Sequence, residues 1–131
     1  MNGEYTFLTY DDVLELHGDM IRHFGGSPGL RDQGLLESAL AQPMQSFGGQ
    51  YVHENIFDMA AAYCFHIAKN HPFVDGNKRT AAYAALIFFG ANGIQMSPDP
   101  EDFARVVNDV AAGAMSKEAL TEYFRKHAAG S

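Results

Sequence analysis

The sequence contains very little cysteine and has no excess of basic charge. Its one cysteine, Cys64, excludes an internal disulfide and a cysteine-rich zinc site. Because Cys64 lies in an apolar segment, we expect an inert buried thiol. Nine basic residues against 16 acidic ones give a net charge of −7, whereas proteins that bind nucleic acid or anionic membranes non-specifically present a basic surface. We therefore expect no direct nucleic-acid partner and no membrane partner.

Long hydrophobic runs and a recognisable secretion signal are also missing. The longest unbroken apolar run covers residues 81–89, whereas a helix that crosses a bilayer needs about 20 such residues. The first residues are polar and lack the basic start of a signal peptide. On these grounds we expect a cytoplasmic protein.

Motifs of several enzyme classes do not occur. The sequence has no Gly-x4-Gly-Lys-Ser/Thr loop, no eukaryotic-type kinase motifs and no His-Asp dipeptide of the helical metal-dependent phosphohydrolases. His53-Glu54 starts a zinc-protease pattern, but Phe57 stands where that pattern needs its second histidine.

The composition that is present indicates one globular domain. Hydrophobic residues make up 47% and charged residues 19% of the 131 residues, as is typical of folded chains. No internal repeat, linker or low-complexity segment interrupts the sequence. We therefore predict a single all-α domain over residues 1–131.

Capping signals and apolar periodicity predict about six helices. Two of them are long and apolar on most faces, so we expect them to form the central buried pair. The predicted helices run from a cap at Thr9 to about Phe24, from Asp32 to before Pro43, over about residues 54–70 and 77–91, from Asp99-Pro100, and from Ser116 to about His127.

Most of the chemical information lies between the two long helices, in His71-Pro72-Phe73-Val74-Asp75-Gly76-Asn77-Lys78-Arg79-Thr80. Gly76 lets the backbone turn sharply and approach a ligand closely. The following helix starts near Asn77, and the first N–H groups of a helix attract anions. A phosphate bound there would meet backbone donors, the Asn77 amide, the point charge of Lys78 and the bidentate fork of Arg79.

Two further side chains complete a candidate phosphate-transfer site. Asp75 would repel phosphate unless a cation lay between them, and Mg²⁺ binds through one or two carboxylates together with substrate phosphates. Histidine suits the role of general base at neutral pH, and Pro72 predicts an extended conformation for His71. Phe73 is predicted to pack and so to hold the loop. Each residue alone has an ordinary structural explanation, but their combination at this spacing favours a site.

The pattern His71-Pro72-Phe73-x-Asp75-Gly76-Asn77-Lys78-Arg79 resembles the signature of Fic-domain proteins. Within that family it is most similar to the Doc (death-on-curing) toxin branch. Residues 34–40, 60–63 and 92–94 are also similar to the family, so the resemblance covers most of the chain. It implies a compact Fic/Doc-like bundle with the motif loop between the two central helices. The wider Fic pattern has glycine at the position of Lys78 and a second arginine at that of Ala82.

Those two departures bear on the reaction that the resemblance implies. Fic proteins with the full pattern transfer AMP to a target hydroxyl. The Doc branch shares both departures and passes the γ-phosphate of ATP to a threonine of elongation factor Tu. The resemblance thus implies a protein Ser/Thr kinase that requires Mg²⁺ and uses ATP as substrate. Its roles would be His71 as base, Asp75 on Mg²⁺, Asn77 with adjacent N–H groups as an anion hole, and Lys78 with Arg79 on the phosphates.

The resemblance also implies a toxin that an antitoxin holds in check. The family's inhibitory Ser/Thr-x-x-x-Glu motif is not found in a convincing helix position, so we expect a separate antitoxin protein that inserts a helix into the cleft. Two alternatives stay open: AMP or other nucleotidyl transfer, and a non-catalytic nucleotide- or antitoxin-binding domain. Within the loop of residues 43–52, where we expect a small hairpin, residues 45–52 occupy the place of the family's target-binding flap. A flap and a plain connection are equally compatible with their sequence.

Overall fold

The structure, a computed structural model, describes residues 4–128 as six helices and one short hairpin. The predicted domain also includes residues 1–3 and 129–131, which lie outside this range. The prediction of an all-α bundle of about six helices is confirmed. The elements are α1 (Tyr10–Phe24), α2 (Gln33–Ala41), β1 (Ser46–Phe47), β2 (Gln50–Tyr51), α3 (Ile56–Asn70), α4 (Asn77–Ala91), α5 (Pro100–Ala111) and α6 (Lys117–Lys126).

Side-chain caps begin most helices at the predicted positions. The Thr9 side chain accepts the Asp12 N–H at 3.0 Å, and the Asp12 carboxylate accepts the Thr9 N–H at 2.8 Å, which closes a capping box at the start of α1. Such caps stabilise a helix by about 1 kcal/mol each. The same kind of cap starts α2, α5 and α6 from Asp32, Asp99 and Ser116.

Helix α3 begins at Ile56, two residues after the predicted start near residue 54. The Asn55 side-chain oxygen accepts the N–H groups of Phe57 and Asp58 at 2.9 and 3.0 Å. These bonds make Asn55 the N-cap, because a residue that satisfies the first free donors lies just outside the helix.

The predicted central pair is α3 and α4. Helix α3 packs against α4, α6, α2 and α5, and α4 also packs against α1 and α5. Fully buried alanines on both helices keep the contact close, while Tyr63, Phe88 and Phe89 fill the surrounding core. The loop that joins α3 to α4 therefore connects the two most buried helices of the fold. Within residues 4–128, no helix is both long and apolar enough to span a bilayer.

The segment before α3 forms a small antiparallel hairpin in which Ser46 pairs with Tyr51 and Phe47 with Gln50. Gly48 and Gly49 make the turn with φ of 60° and 80°. Two-residue hairpin turns favour glycine because they place residues at positive φ. Phe47 is 86% exposed, so the tip carries an apolar side chain into solvent. Its role as a target-binding flap stays a prediction.

Candidate active site

The motif loop starts at His71 in the left-handed conformation (φ 54°, ψ 52°), so the predicted extended conformation is wrong. Proline disfavours the right-handed helical region for the residue before it, and helices often end on a left-handed residue. His71 is the one non-glycine residue with positive φ within residues 4–128. Such a conformation costs about 1–3 kcal/mol and persists where the surroundings enforce it.

Arg31 provides that enforcement from the α1–α2 connection. Its Nε donates to the His71 carbonyl at 2.7 Å, and one terminal nitrogen donates to the Asn70 carbonyl at 3.0 Å. These are carbonyls at the C-terminal end of α3, where a cation also meets the negative end of the helix dipole. The backbone N–H of Arg31 donates to the Pro72 carbonyl at 2.8 Å. Arg31 thus fixes the residue that carries the imidazole.

Asn77 uses its whole amide group inside the loop. Its Oδ1 accepts the Phe73 N–H at 2.8 Å, and its Nδ2 donates to the Phe73 carbonyl at 2.9 Å and to His71 Nδ1 at 2.7 Å. Asn77 is buried. An anion hole at this point would therefore consist of backbone N–H groups, since the Asn77 side chain has no donor left for a ligand.

The same bonds set the tautomer of His71. The two bonds to Phe73 decide which end of the Asn77 amide is nitrogen, so His71 Nδ1 must accept a hydrogen bond. A neutral imidazole has one protonated nitrogen, and here it is Nε2. The exposed ring therefore presents an N–H donor, while its lone pair faces Asn77.

The Asp75 carboxylate is exposed but anchored. Its Oδ2 accepts the Ser27 N–H at 3.0 Å and its Oδ1 accepts the Gly76 N–H at 2.9 Å. These bonds, led by the one from Ser27, lower the pKa of Asp75 below its ordinary value. A Cβ at Gly26 would lie 2.8 Å from Asp75 Oδ2, so only glycine permits this approach. The carboxylate is thus ionised, oriented and open to solvent.

Asp75 fits the way in which proteins hold Mg²⁺. No cluster of three histidine, cysteine or acidic residues that could hold a metal occurs among residues 4–128. Mg²⁺ does not need such a cluster, because it is commonly bound by one or two carboxylates, several waters and substrate phosphates. Each Asp75 oxygen accepts one hydrogen bond and keeps a lone pair for a cation.

The N-terminus of α4 is open to an anion. Gly76 occupies the N-cap with φ 76°, and no side chain caps this helix. Within residues 4–128, the backbone N–H groups of Asn77, Lys78 and Arg79 have no hydrogen-bond acceptor. Lys78 and Arg79 are exposed, and neither forms an ion pair in the described part of the chain. The free N–H donors, the positive end of the α4 helix dipole and the two cationic side chains therefore lie together, an arrangement that favours anion binding.

Arg79 is oriented by an aromatic ring. Its guanidinium carbon lies 4.2 Å from the centre of the Phe24 ring at the end of α1. Stacking uses the flat face of the guanidinium and leaves its N–H edges free for a bidentate contact with phosphate. Phe24 is half exposed and so is available for this role.

A cavity of about 690 Å³ joins all the predicted site residues. Its polar floor is made by His71, Asp75, Gly76, Asn77, Lys78 and Arg79. Its apolar wall comes mainly from Tyr83 and Leu86 of α4, and from Phe103 and Val107 of α5. Cavities of about 300–1,000 Å³ with convergent polar groups are typical of small-ligand sites.

Four residues of the site were missed from the sequence: His17, Phe24, Ser27 and Arg31. They act from positions more than 39 residues before their partners in the loop, and no local pattern links such positions. Only His17 carried a signal, because it shares the core-facing spacing of Val13, Leu16 and Met20, the other buried residues of α1.

Comparisons with known proteins found a family model and two relatives that match this sequence. The chain matches the model of the Fic/DOC family over residues 7–89, which includes the whole motif loop. It is 45% identical over 93 residues to Toxin Doc of Mycolicibacterium smegmatis, with 71% of this chain and 69% of that protein covered. It is 30% identical over 116 residues to Protein kinase doc of Escherichia phage P1, with 88% of this chain and 90% of that protein covered.

Proposed function

This chain belongs to the Fic/DOC family, and from that premise we propose that it is a Doc-like toxin with protein kinase activity. It transfers the γ-phosphate of ATP to a hydroxyl of a target protein, and our first choice of target is a threonine of elongation factor Tu. The observation that carries this proposal is one cavity that holds an exposed imidazole, an anchored carboxylate, an open helix N-terminus and two cations that form no ion pair within residues 4–128. The printed name of the phage relative also supports a kinase.

The negative charge of the nucleotide is met by three elements of the chain. The N–H groups at the start of α4 and the side chains of Lys78 and Arg79 bind phosphate oxygens. Asp75 would hold Mg²⁺, which, when bound, neutralises charge on the phosphates. Phosphoryl transfer depends mainly on positioning and on charge stabilisation, and these residues supply both.

His71 accepts the proton of the target hydroxyl as the oxygen attacks the γ-phosphorus, while the bond from that phosphorus to the β–γ bridging oxygen breaks and ADP leaves. Its one lone pair lies on Nδ1, where Asn77 donates at 2.7 Å. Proton transfer to His71 therefore requires the Asn77 contact to break or the ring to turn. Before that change, the Nε2–H group can donate to a phosphate oxygen.

Lys78 and Ala82 favour γ-phosphate transfer over AMP transfer. Both line the cavity, and they stand where the wider Fic pattern has a glycine and a second arginine. Lys78 adds a side chain where glycine leaves space, and Ala82 has no donor to clamp a phosphate. The triphosphate would then be seated differently from that of an AMP-transferring enzyme.

Two protein partners follow from the same proposal. An antitoxin supplied as a separate chain inhibits the enzyme by placing an ordered helix in the cleft, whose apolar wall between α4 and α5 suits an amphipathic helix. The target approaches the hairpin, where the exposed Phe47 and the short strands offer contacts to an extended segment.

Intact-mass spectrometry of bacterial elongation factor Tu tests the proposal. The factor is incubated with this protein, ATP and Mg²⁺, in parallel with His71→Ala. We expect a phosphate-sized increase in mass that requires His71. An AMP-sized increase would replace the kinase proposal by nucleotidyl transfer, and no increase would remove elongation factor Tu as the target.

A further inference from the structure

Helix α1 buries a histidine among its core residues. Its buried residues are Val13, Leu16, His17 and Met20, and His17 is the only polar one. Its exposed fraction is 5%. A buried imidazole needs a hydrogen-bond partner, and this one finds it in the motif loop: Nε2 donates to the Asp75 carbonyl at 2.8 Å.

His17 also contacts the loop through the face of its ring. The His17 and Phe73 rings stack with centroids 3.8 Å apart and planes 4° from parallel. Phe73 is fully buried, and its backbone N–H and carbonyl both form hydrogen bonds with the Asn77 side chain. Through Phe73, the histidine thus supports the network that holds His71.

The two contacts act on opposite sides of one exposed residue. His17 stacks on the Phe73 ring and donates to the Asp75 carbonyl, while Val74 between these two residues is exposed. The Asp75 carbonyl points inward to α1, and its carboxylate points to Ser27 and Gly76. A Cβ at Gly76 would lie 3.7 Å from His17 Nε2 and 3.2 Å from Ile21, so the loop rests directly on α1.

We propose that His17 is a positioning residue of the transfer site. It acts through the Asp75 carbonyl and the Phe73 ring, and it keeps the Asp75 carboxylate and the start of α4 turned toward the cavity. His17 itself contacts neither substrate nor metal. The inference rests on the proposed function only for its kinetic test.

Two variants separate the contacts of His17, and a third serves as control. His17→Phe keeps a planar ring for stacking but loses the donor to Asp75. His17→Gln keeps an N–H donor but loses the ring. Tyr63→Phe removes a different buried bond, from the Leu8 N–H to the Tyr63 hydroxyl at 2.9 Å, which does not involve the loop.

Hydrogen exchange tests the positioning role without any enzyme assay. The amides of Phe73 and Val74 are suitable probes, because they donate to Asn77 Oδ1 and to the Gly29 carbonyl at 2.8 and 3.0 Å. We expect His17→Phe to speed their exchange at least ~10-fold relative to amides of α5 and α6, with no such change in Tyr63→Phe. Wild-type exchange at both amides in His17→Phe would overturn the proposal.

Kinetics on the folded variants give the second test. We expect His17→Phe to lower kcat at least ~10-fold and to raise the Mg²⁺ concentration for half-maximal rate, with little change in KM for ATP. His17→Gln should recover part of kcat. An active wild type with unchanged kcat and Mg²⁺ requirement in His17→Phe would overturn the role of His17. If His17→Phe speeds amide exchange in the loop but the wild type transfers no phosphate, the positioning role is supported and the proposed reaction is rejected.

Discussion

The loop before α3 and the loop after it differ in how the fold holds them. The loop after α3 accepts hydrogen bonds from His17, Ser27, Arg31 and the Asn77 side-chain nitrogen. The hairpin before α3 is held by its own strand pairing and by the packing of Tyr51 on Tyr5 and Phe7, and it leaves Phe47 in solvent.

This difference separates two tasks. Groups that act on a reacting phosphate must be placed accurately, since small displacements lower the rate strongly. A segment that meets a protein partner gains from exposed contacts and adaptable backbone. We therefore propose that the loop after α3 carries the chemistry and that the hairpin contacts the target, and the substitutions that follow test this division.

The largest effect is expected from His71→Ala. Loss of a general base lowers a rate by about 10²–10⁴-fold, so phosphate transfer should be abolished in practice. His71 is exposed and its ring has one hydrogen-bond partner within residues 4–128, Asn77, so thermal unfolding and ATP binding should stay close to wild type. Retained transfer in a folded His71→Ala protein would reject the assignment of the base.

Asp75→Asn should mainly change the dependence on metal. The amide keeps the shape of the carboxylate but loses its charge, so we expect the Mg²⁺ concentration for half-maximal rate to rise at least ~10-fold. The measurement is a titration of the transfer rate with Mg²⁺. A titration curve that coincides with that of the wild type would show that Asp75 holds no metal.

Phe47→Ala tests the other side of the comparison. Phe47 is 86% exposed, so the free energy of unfolding should change by less than about 0.5 kcal/mol. Loss of an aromatic contact should raise KM for the protein target roughly 5-fold, while KM for ATP stays the same. Unchanged kinetics toward the target would remove the hairpin from the binding surface.

Phe24→Leu should have the smallest effect. Exposed cation–π contacts contribute about 0.5–1 kcal/mol, so loss of the ring beside Arg79 should raise KM for ATP roughly 2- to 5-fold. Phe24→Tyr, which keeps an aromatic ring beside Arg79, is the matched control. Equal effects of the two variants would argue against a specific role for Phe24 in orienting Arg79.

Much of the fold was predictable because its signals are local. Thr9, Asp32, Asp99 and Ser116 cap helices through bonds to residues three positions further along the chain, and such patterns can be read directly. The apolar runs of α3 and α4 predicted the central pair, and the order of residues 71–79 predicted a shared site.

The internal geometry of the loop was not predictable, because it depends on distant residues. The proline rule removes one conformation of His71 but does not select the left-handed one, which Arg31 stabilises from 40 positions earlier in the chain. The inward amide of Asn77 likewise depends on the buried backbone of Phe73. Sequence alone suggested a phosphate ligand at Asn77, whereas the structure shows a side chain that holds the loop.

The position of an isotope label in ATP tests most directly whether this site transfers the γ-phosphate. Parallel reactions with ATP labelled at the γ- or the α-phosphate are run on elongation factor Tu with the wild type, His71→Ala and Lys78→Gly. We predict that only the γ-label reaches the protein, that His71→Ala abolishes the signal and that Lys78→Gly reduces it. Label from the α-phosphate on the target would contradict the claim.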